Sequence, residues 1–213
     1  MIRNFSIEKK EVAEEDRTFC RSDCLTMVYA GGLHYNRWKV LSEIARTLKE
    51  LNRSSETKCF LKIYSTQNLS KEIMHSLVVE GVSEFCGGAP ASQIAGIYAN
   101  ADILLHVESF DKKAIASTRY SFSTKIPEYL SANKCVLAVG PAEVASMRYL
   151  SDFACVISDS SMLSLMLSKL IHDNDYRDQI NAKCEERYES DFTCKKQKEC
   201  LEELLEIFLL EGR

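Results

Sequence analysis

The sequence predicts an α/β domain: a doubly wound, mostly parallel sheet with helices on both faces and C-terminal helices packed outside. Three observations predict it. Short apolar runs alternate with amphipathic stretches of ordinary helix length along most of the chain. The first apolar run closes on a glycine pair, where a strand would turn into a helix. The 213 residues suffice for one sizeable core, with no internal repeat, low-complexity tract or second domain boundary.

The elements follow in order. Met1 to Asp23 has no sustained apolar period, so residues 1–24 read as an arm or linker and 25–213 as a single domain. Leu25 to Ala30 is the first strand, closed by Gly31-Gly32, and a helix runs from Arg37 to about Asn52. Its Val40, Leu41, Ile44, Ala45, Leu48 and Leu51 form one stripe. Strand, glycine turn and helix open a Rossmann-like unit, although GGLHYNRW lacks the GxGxxG spacing of a dinucleotide fingerprint.

A second strand is expected at Cys59 to Tyr64 and a helix at Ser70 to Val79, with Ser70 as N-cap. A short strand at Val82 to Cys86 leads into Gly87-Gly88, a helix at Ala91 to Asn100, and a buried strand at Asp102 to Val107. Glu108 to Phe122 shows no period and reads as a long functional loop. Beyond it come a helix from Ile126 to Asn133, a strand at Cys135 to Val139, a helix from Ala142 to about Leu150, and a strand at Ala154 to Ser158. Asp159 or Ser160 then caps a helix with Leu163, Met166, Leu167 and Leu170 inward, and the remaining residues are helical and charged. Leu201, Leu204, Leu205, Phe208 and Leu209 make a clean apolar face there, which predicts a homodimer or a partner docked through this helix.

Composition excludes several classes. A formal charge of −4 gives no support to a nucleic-acid partner. No apolar run is long enough to span a bilayer, and the polar N-terminus is no secretion signal. Nine cysteines without CxxC spacing or paired histidines fit neither a disulfide framework nor a zinc site, so a reducing, cytoplasmic setting is expected. Cys59, Cys135 and Cys155 each open an apolar run and suit small buried hydrophobes. No metal, cofactor or catalytic histidine is expected.

The stretch around which the chain is organised is Ser123 to Pro141, STKIPEYLSANKCVLAVGP. Pro127 fits a first helical turn, where a missing N–H costs least, and Glu128 lies in the same turn. Local chemistry leaves two readings of Glu128 open: a carboxylate favoured by the helix start, or a ligand-binding group at the carboxyl ends of the strands.

The order of motifs resembles the C-terminal, donor-nucleotide-binding half of a two-domain glycosyltransferase of the GT-B architecture. Within it, the chain is most similar to the retaining group 1 family of sucrose synthase-like and bacterial polysaccharide enzymes. YAGGLHYNRW, FCGGAP with the following helix and ADILLHV, and STKIPEYLSANKCVLAVGP carry the resemblance from about Leu25 to Asp159. It implies binding of a nucleotide diphosphate sugar as donor substrate, with Gly31 and Gly32 near the phosphates and Arg37 and Lys125 contacting the diphosphate. It further implies that Glu128 accepts hydrogen bonds from the two ribose hydroxyls, that Phe85 lies by the base, and that Ser123 and Thr124 add hydroxyl contacts or cap the helix.

Two departures from the family pattern stand out. Tyr120 occupies the position where the family carries a second glutamate facing the donor sugar, and the basic residue directly after the glycine turn is displaced. The acceptor-binding domain of such enzymes is expected on another chain, and membrane association only through a partner. The alternative is a non-catalytic nucleotide-binding or scaffolding module left from such an enzyme; an unrelated flavodoxin-like or epimerase-like domain is the third reading.

Overall fold

The computed structural model describes residues 24–193. The expected apolar face Leu201 to Leu209 and the arm before Cys24 lie outside the described residues. Six parallel strands form one sheet: β1 (Cys24–Ala30), β2 (Lys58–Tyr64), β3 (Ser83–Gly87), β4 (Ile103–Val107), β5 (Cys135–Val139) and β6 (Cys155–Ile157). Their spatial order is β3-β2-β1-β4-β5-β6, which puts the reversal of winding between β1 and β4. In such sheets the crevice beyond the carboxyl ends at this reversal is where ligands bind.

The helices are α1 (Arg37–Ser54), α2 (Lys71–Leu77), α3 (Ala91–Ala99), α4 (Lys112–Thr118), α5 (Lys125–Ser131), α6 (Ala145–Leu150), α7 (Leu163–His172) and α8 (Asn174–Asp191). α1 packs with α2 and α7, whereas α8 packs with α5 and over β5, so helices cover both faces. Of the predicted α1 stripe, Val40, Leu41, Ile44, Ala45 and Leu48 are buried and Leu51 is partly buried. β4 and β5, sandwiched between the layers, are buried at every residue, as continuous apolar runs require. β2, nearer an edge, alternates instead, and its Lys62 lies 3.9 Å from Glu84 of β3. Cys59, Cys135 and Cys155 are buried as small hydrophobes. α8 returns across the domain with Ile180, Cys184 and Tyr188 inward at four-residue spacing.

Three expectations need correction. The segment after β4 is not a plain loop. It contains α4, a helix too short and polar to show a period, which buries only Ala114 and Thr118. The glycines of the first turn do not use their conformational freedom. Positive φ falls instead on Tyr35 (57°) and Asn36 (62°), just before α1. The helix expected from Ala142 begins at Ala145, behind a turn in which Val144 N–H donates to Pro141 C=O. Elsewhere boundaries shift by one or two residues, and Ser70 caps α2 by accepting from Ile73 N–H.

Candidate functional site

Two cavities open at the carboxyl ends of the strands and share Gly31, Gly32 and Lys125 on their walls. The larger, about 260 Å³, is completed by the end of β2 (Tyr64, Ser65, Thr66), the turn after β3 (Gly88, Ala89), Ile94 and Tyr98 of α3, and Glu128 of α5. The smaller, about 50 Å³, is bounded by Tyr29, Arg37, His106, Glu108, Ser123 and Tyr129.

Local geometry explains the larger cavity. β3 gains a residue against β2: Ile63 pairs with Phe85 but Tyr64 with Gly87. Gly87 takes φ 75°, a conformation that suits glycine, and Ser65 N–H donates to its C=O at 2.8 Å. This bulge carries Gly88 over Thr66, close enough that a Cβ on Gly88 would meet Thr66 Cγ2 at 2.8 Å. Gly31 is needed for the same reason, since its Cβ would stand 2.9 Å from the Tyr29 hydroxyl and 3.4 Å from Lys125 Cε. That hydroxyl donates to Gly32 C=O at 2.7 Å.

The turn offers fewer N–H groups than a bare glycine loop would. Gly31 N–H donates to Tyr64 C=O at 2.9 Å, and Leu33 N–H is taken by the Gln67 side chain. Among the described residues, Gly32 N–H is left without a protein acceptor. The turn is also tied down from the opposite wall, because Asn36 Nδ2 donates to Asp111 Oδ2 at 2.9 Å.

On α5, Lys125 and Glu128 stand three residues apart and both line the larger cavity. Tyr129 packs behind them edge-on to Tyr98, with centroids 5.1 Å apart, and its hydroxyl donates to Ala30 and Leu105 C=O at 3.4 and 3.3 Å. Burial raises the Glu128 carboxyl above its ordinary pKa; the Lys125 charge and the Tyr98 hydroxyl lower it without cancelling the rise. Ser123 lines the smaller cavity, held by its N–H donating to Ser146 Oγ at 2.9 Å. Thr124 is exposed at the start of α5 with no side-chain capping bond, and Phe85 is half-buried against the core; neither lines these two cavities.

Arg37 reaches the smaller cavity but not as a free cation. Its Nε and Nη2 donate to Glu108 Oε2 at 3.2 and 2.7 Å. His106 Nε2 lies 3.4 Å from Glu108 Oε1, an approach that makes no hydrogen bond and leaves this buried nitrogen unsatisfied. Burial raises the Glu108 pKa, but the imidazole and the guanidinium together outweigh it and hold the carboxyl below its ordinary range. Sequence reasoning missed His106 and Glu108, placing the first at a strand end and the second in a loop. Their signal was two ionisable residues at alternate positions at the end of an otherwise apolar run. Tyr120, by contrast, is 74% exposed and stacks on Arg119, with 4.7 Å between guanidinium carbon and ring centroid.

No group of three or more metal-ligating side chains occurs among the described residues, and no described helix is long and apolar enough to cross a membrane. No protein-family model matches the chain, and no curated protein matches it by sequence. Solved structures do match. WaaG, a glycosyltransferase involved in lipopolysaccharide biosynthesis, superposes with a TM-score of 0.63 at 17% identity, over 84% of this chain and 46% of WaaG. Anabaena HepE in complex with UDP and glucose gives 0.62 at 14%, over 86% and 48%. The trehalose 6-phosphate synthase of Burkholderia multivorans gives 0.64 at 9%, over 90% and 44%. The chain thus spans under half the length of these structures, and its six-stranded sheet has the fold of a GT-B glycosyltransferase domain.

Proposed function

We propose that this chain is the donor-binding half of a glycosyltransferase, holding a nucleotide diphosphate sugar for transfer to an acceptor bound by another domain or chain. One observation carries the reading: Lys125 and Glu128 stand side by side on the wall of a cavity of about 260 Å³ at the sheet's reversal point, across from Gly31 and Gly32. The Glu128 carboxylate has two oxygens to accept from the vicinal hydroxyls of a ribose. Lys125, on the wall common to both cavities, supplies charge to the diphosphate, which becomes more negative as the bond to the sugar breaks. Gly32 N–H adds a donor at the same point. The half-apolar pocket of Tyr64, Ala89 and Ile94 is left for the base. HepE, of the same fold, has been captured with UDP-glucose. Cell-surface polysaccharide synthesis, a cytoplasmic location and membrane contact through a partner belong to this reading.

Calorimetric titration with UDP-, GDP- and ADP-sugars tests it. One of the three should bind, and Glu128→Ala should weaken binding by about tenfold or more, as loss of a hydrogen bond to a charged group does. Absence of binding by all three overturns it. Tyr120 favours a second reading, a nucleotide-binding module without transfer, because the family's second glutamate is replaced there by an exposed aromatic residue. Release of free nucleotide in the presence of acceptor domain separates the two.

A further inference from the structure

The smaller cavity presents a charge problem that the donor site alone does not explain. The side chains lining the two cavities include two cations, Arg37 and Lys125, and two carboxylates, Glu108 and Glu128, so their formal charges cancel. A diphosphate diester brings two negative charges into that neutral setting. Arg37 contributes little net field, because both of its contacts fall on one oxygen of Glu108. The other oxygen faces His106, whose side chain is 6% exposed and whose Nε2 has no hydrogen-bond partner.

We propose that His106 and Glu108 are positioning residues that couple binding of the diphosphate to uptake of a proton. The proton adds to His106 Nε2, and the imidazolium then donates to Glu108 Oε1. Two cations now share one carboxylate, and the site gains one positive charge, felt through the Arg37 guanidinium at the cavity wall. No bond other than N–H forms or breaks. The groups facing the pair are Tyr29 from β1, Arg37 from α1, and Lys125 and Tyr129 from α5, with Glu128 in the adjoining cavity. Both tyrosine hydroxyls are pushed up by burial. The imidazole is the group whose unperturbed pKa changes charge between about pH 5 and 8. The identity of the anion rests on the donor reading; the proton coupling rests on the cluster itself.

The test uses the full chain and two probes. Nucleotide sugars (UDP-, GDP- and ADP-glucose) have phosphates that do not titrate in this range, and sulfate serves as a bare anion. Affinity for the nucleotide sugar that binds should rise about tenfold as pH falls from about 8 to 5, the change that one unit of pKa shift on binding produces. Calorimetry in two buffers of different ionisation enthalpy should show net proton uptake. His106→Gln should flatten the profile at the weaker, high-pH affinity. Glu108→Gln, whose amide oxygen still accepts from Arg37, should flatten it at the tighter one, a gain that a merely structural role does not produce. Should either variant unfold, the His106 ring titration followed by NMR in the wild-type chain decides: sulfate or nucleotide sugar should raise its pKa. Nucleotide binding with a flat pH profile and an unmoved His106 overturns the coupling and leaves the donor reading standing. A raised His106 pKa with sulfate but no nucleotide binding upholds the coupling and overturns the donor reading. If neither probe binds, both fall.

Discussion

Glu108 and Glu128 are the same side chain in adjoining cavities, the first buried and the second half-buried, yet their carboxyl groups shift in opposite directions. Burial acts on both in the same sense, so burial does not decide the sign. Contact does. Glu108 has a guanidinium at 2.7 Å and an imidazole at 3.4 Å, whereas Glu128 has only the through-space charge of Lys125 and the Tyr98 hydroxyl. The first carboxylate is paired at close range with two basic side chains; the second has only weaker partners.

The strongest way to break this comparison is to remove each carboxylate. Glu108→Ala should destabilise the fold by about 3 kcal/mol or more, since it leaves the Arg37 guanidinium without its counter-charge. Glu128→Gln should instead raise the urea midpoint at neutral pH. Chemical denaturation of both variants reads the difference, and equal losses would erase the distinction. Next in size, Lys125→Ala should weaken nucleotide-sugar binding by about tenfold to a hundredfold with the urea midpoint little changed, measured by calorimetry. Gly140→Ala tests how rigidly Glu108 is held. A Cβ at Gly140 would meet Glu108 Cβ at 2.7 Å and its backbone nitrogen at 3.2 Å, so a cost of about 1–3 kcal/mol is expected.

The pH dependence sharpens the same contrast. Glu108 has a folded pKa below the ordinary 4.5, so its stabilisation is complete above that value and is lost as pH falls through the folded pKa. Glu128 has a folded pKa above 4.5, so its ionisation opposes folding, with the penalty absent at lower pH and complete once pH exceeds the folded value. Urea titrations of Glu108→Gln and Glu128→Gln from acid to neutral pH should therefore diverge from wild type in opposite directions. The smallest effect is expected at Tyr120: Tyr120→Ala should change stability by no more than about 0.5 kcal/mol, because the ring is mostly in solvent.

Much of this architecture was legible in the sequence because the buried strands are continuous apolar runs. CVLAV and ILLHV announce themselves, and the stripe of α1 fixes its inner face. Lys125 and Glu128 were legible because three residues on a helix place two side chains together. What was hidden depends on distance along the chain. Arg37 and Glu108 are 71 residues apart, and nothing local marks them as a pair. The wall formed by Thr66, Gly88 and Ile94 arises from a bulge that no alternation reveals. α4 escaped because its carboxylate at the start, Asp111, is engaged by Asn36 and its apolar side is two residues wide.

Among the described residues, the outermost strand on one flank, β6, is only three residues long. An open sheet exposes unpaired peptide groups at its margins, and a long flat margin invites another chain to extend it. With so few groups on offer here, and a Lys62–Glu84 pair near the opposite flank, this fold should resist edge-to-edge aggregation. Self-association of this chain, where it occurs, would then proceed through side chains and not through shared strands.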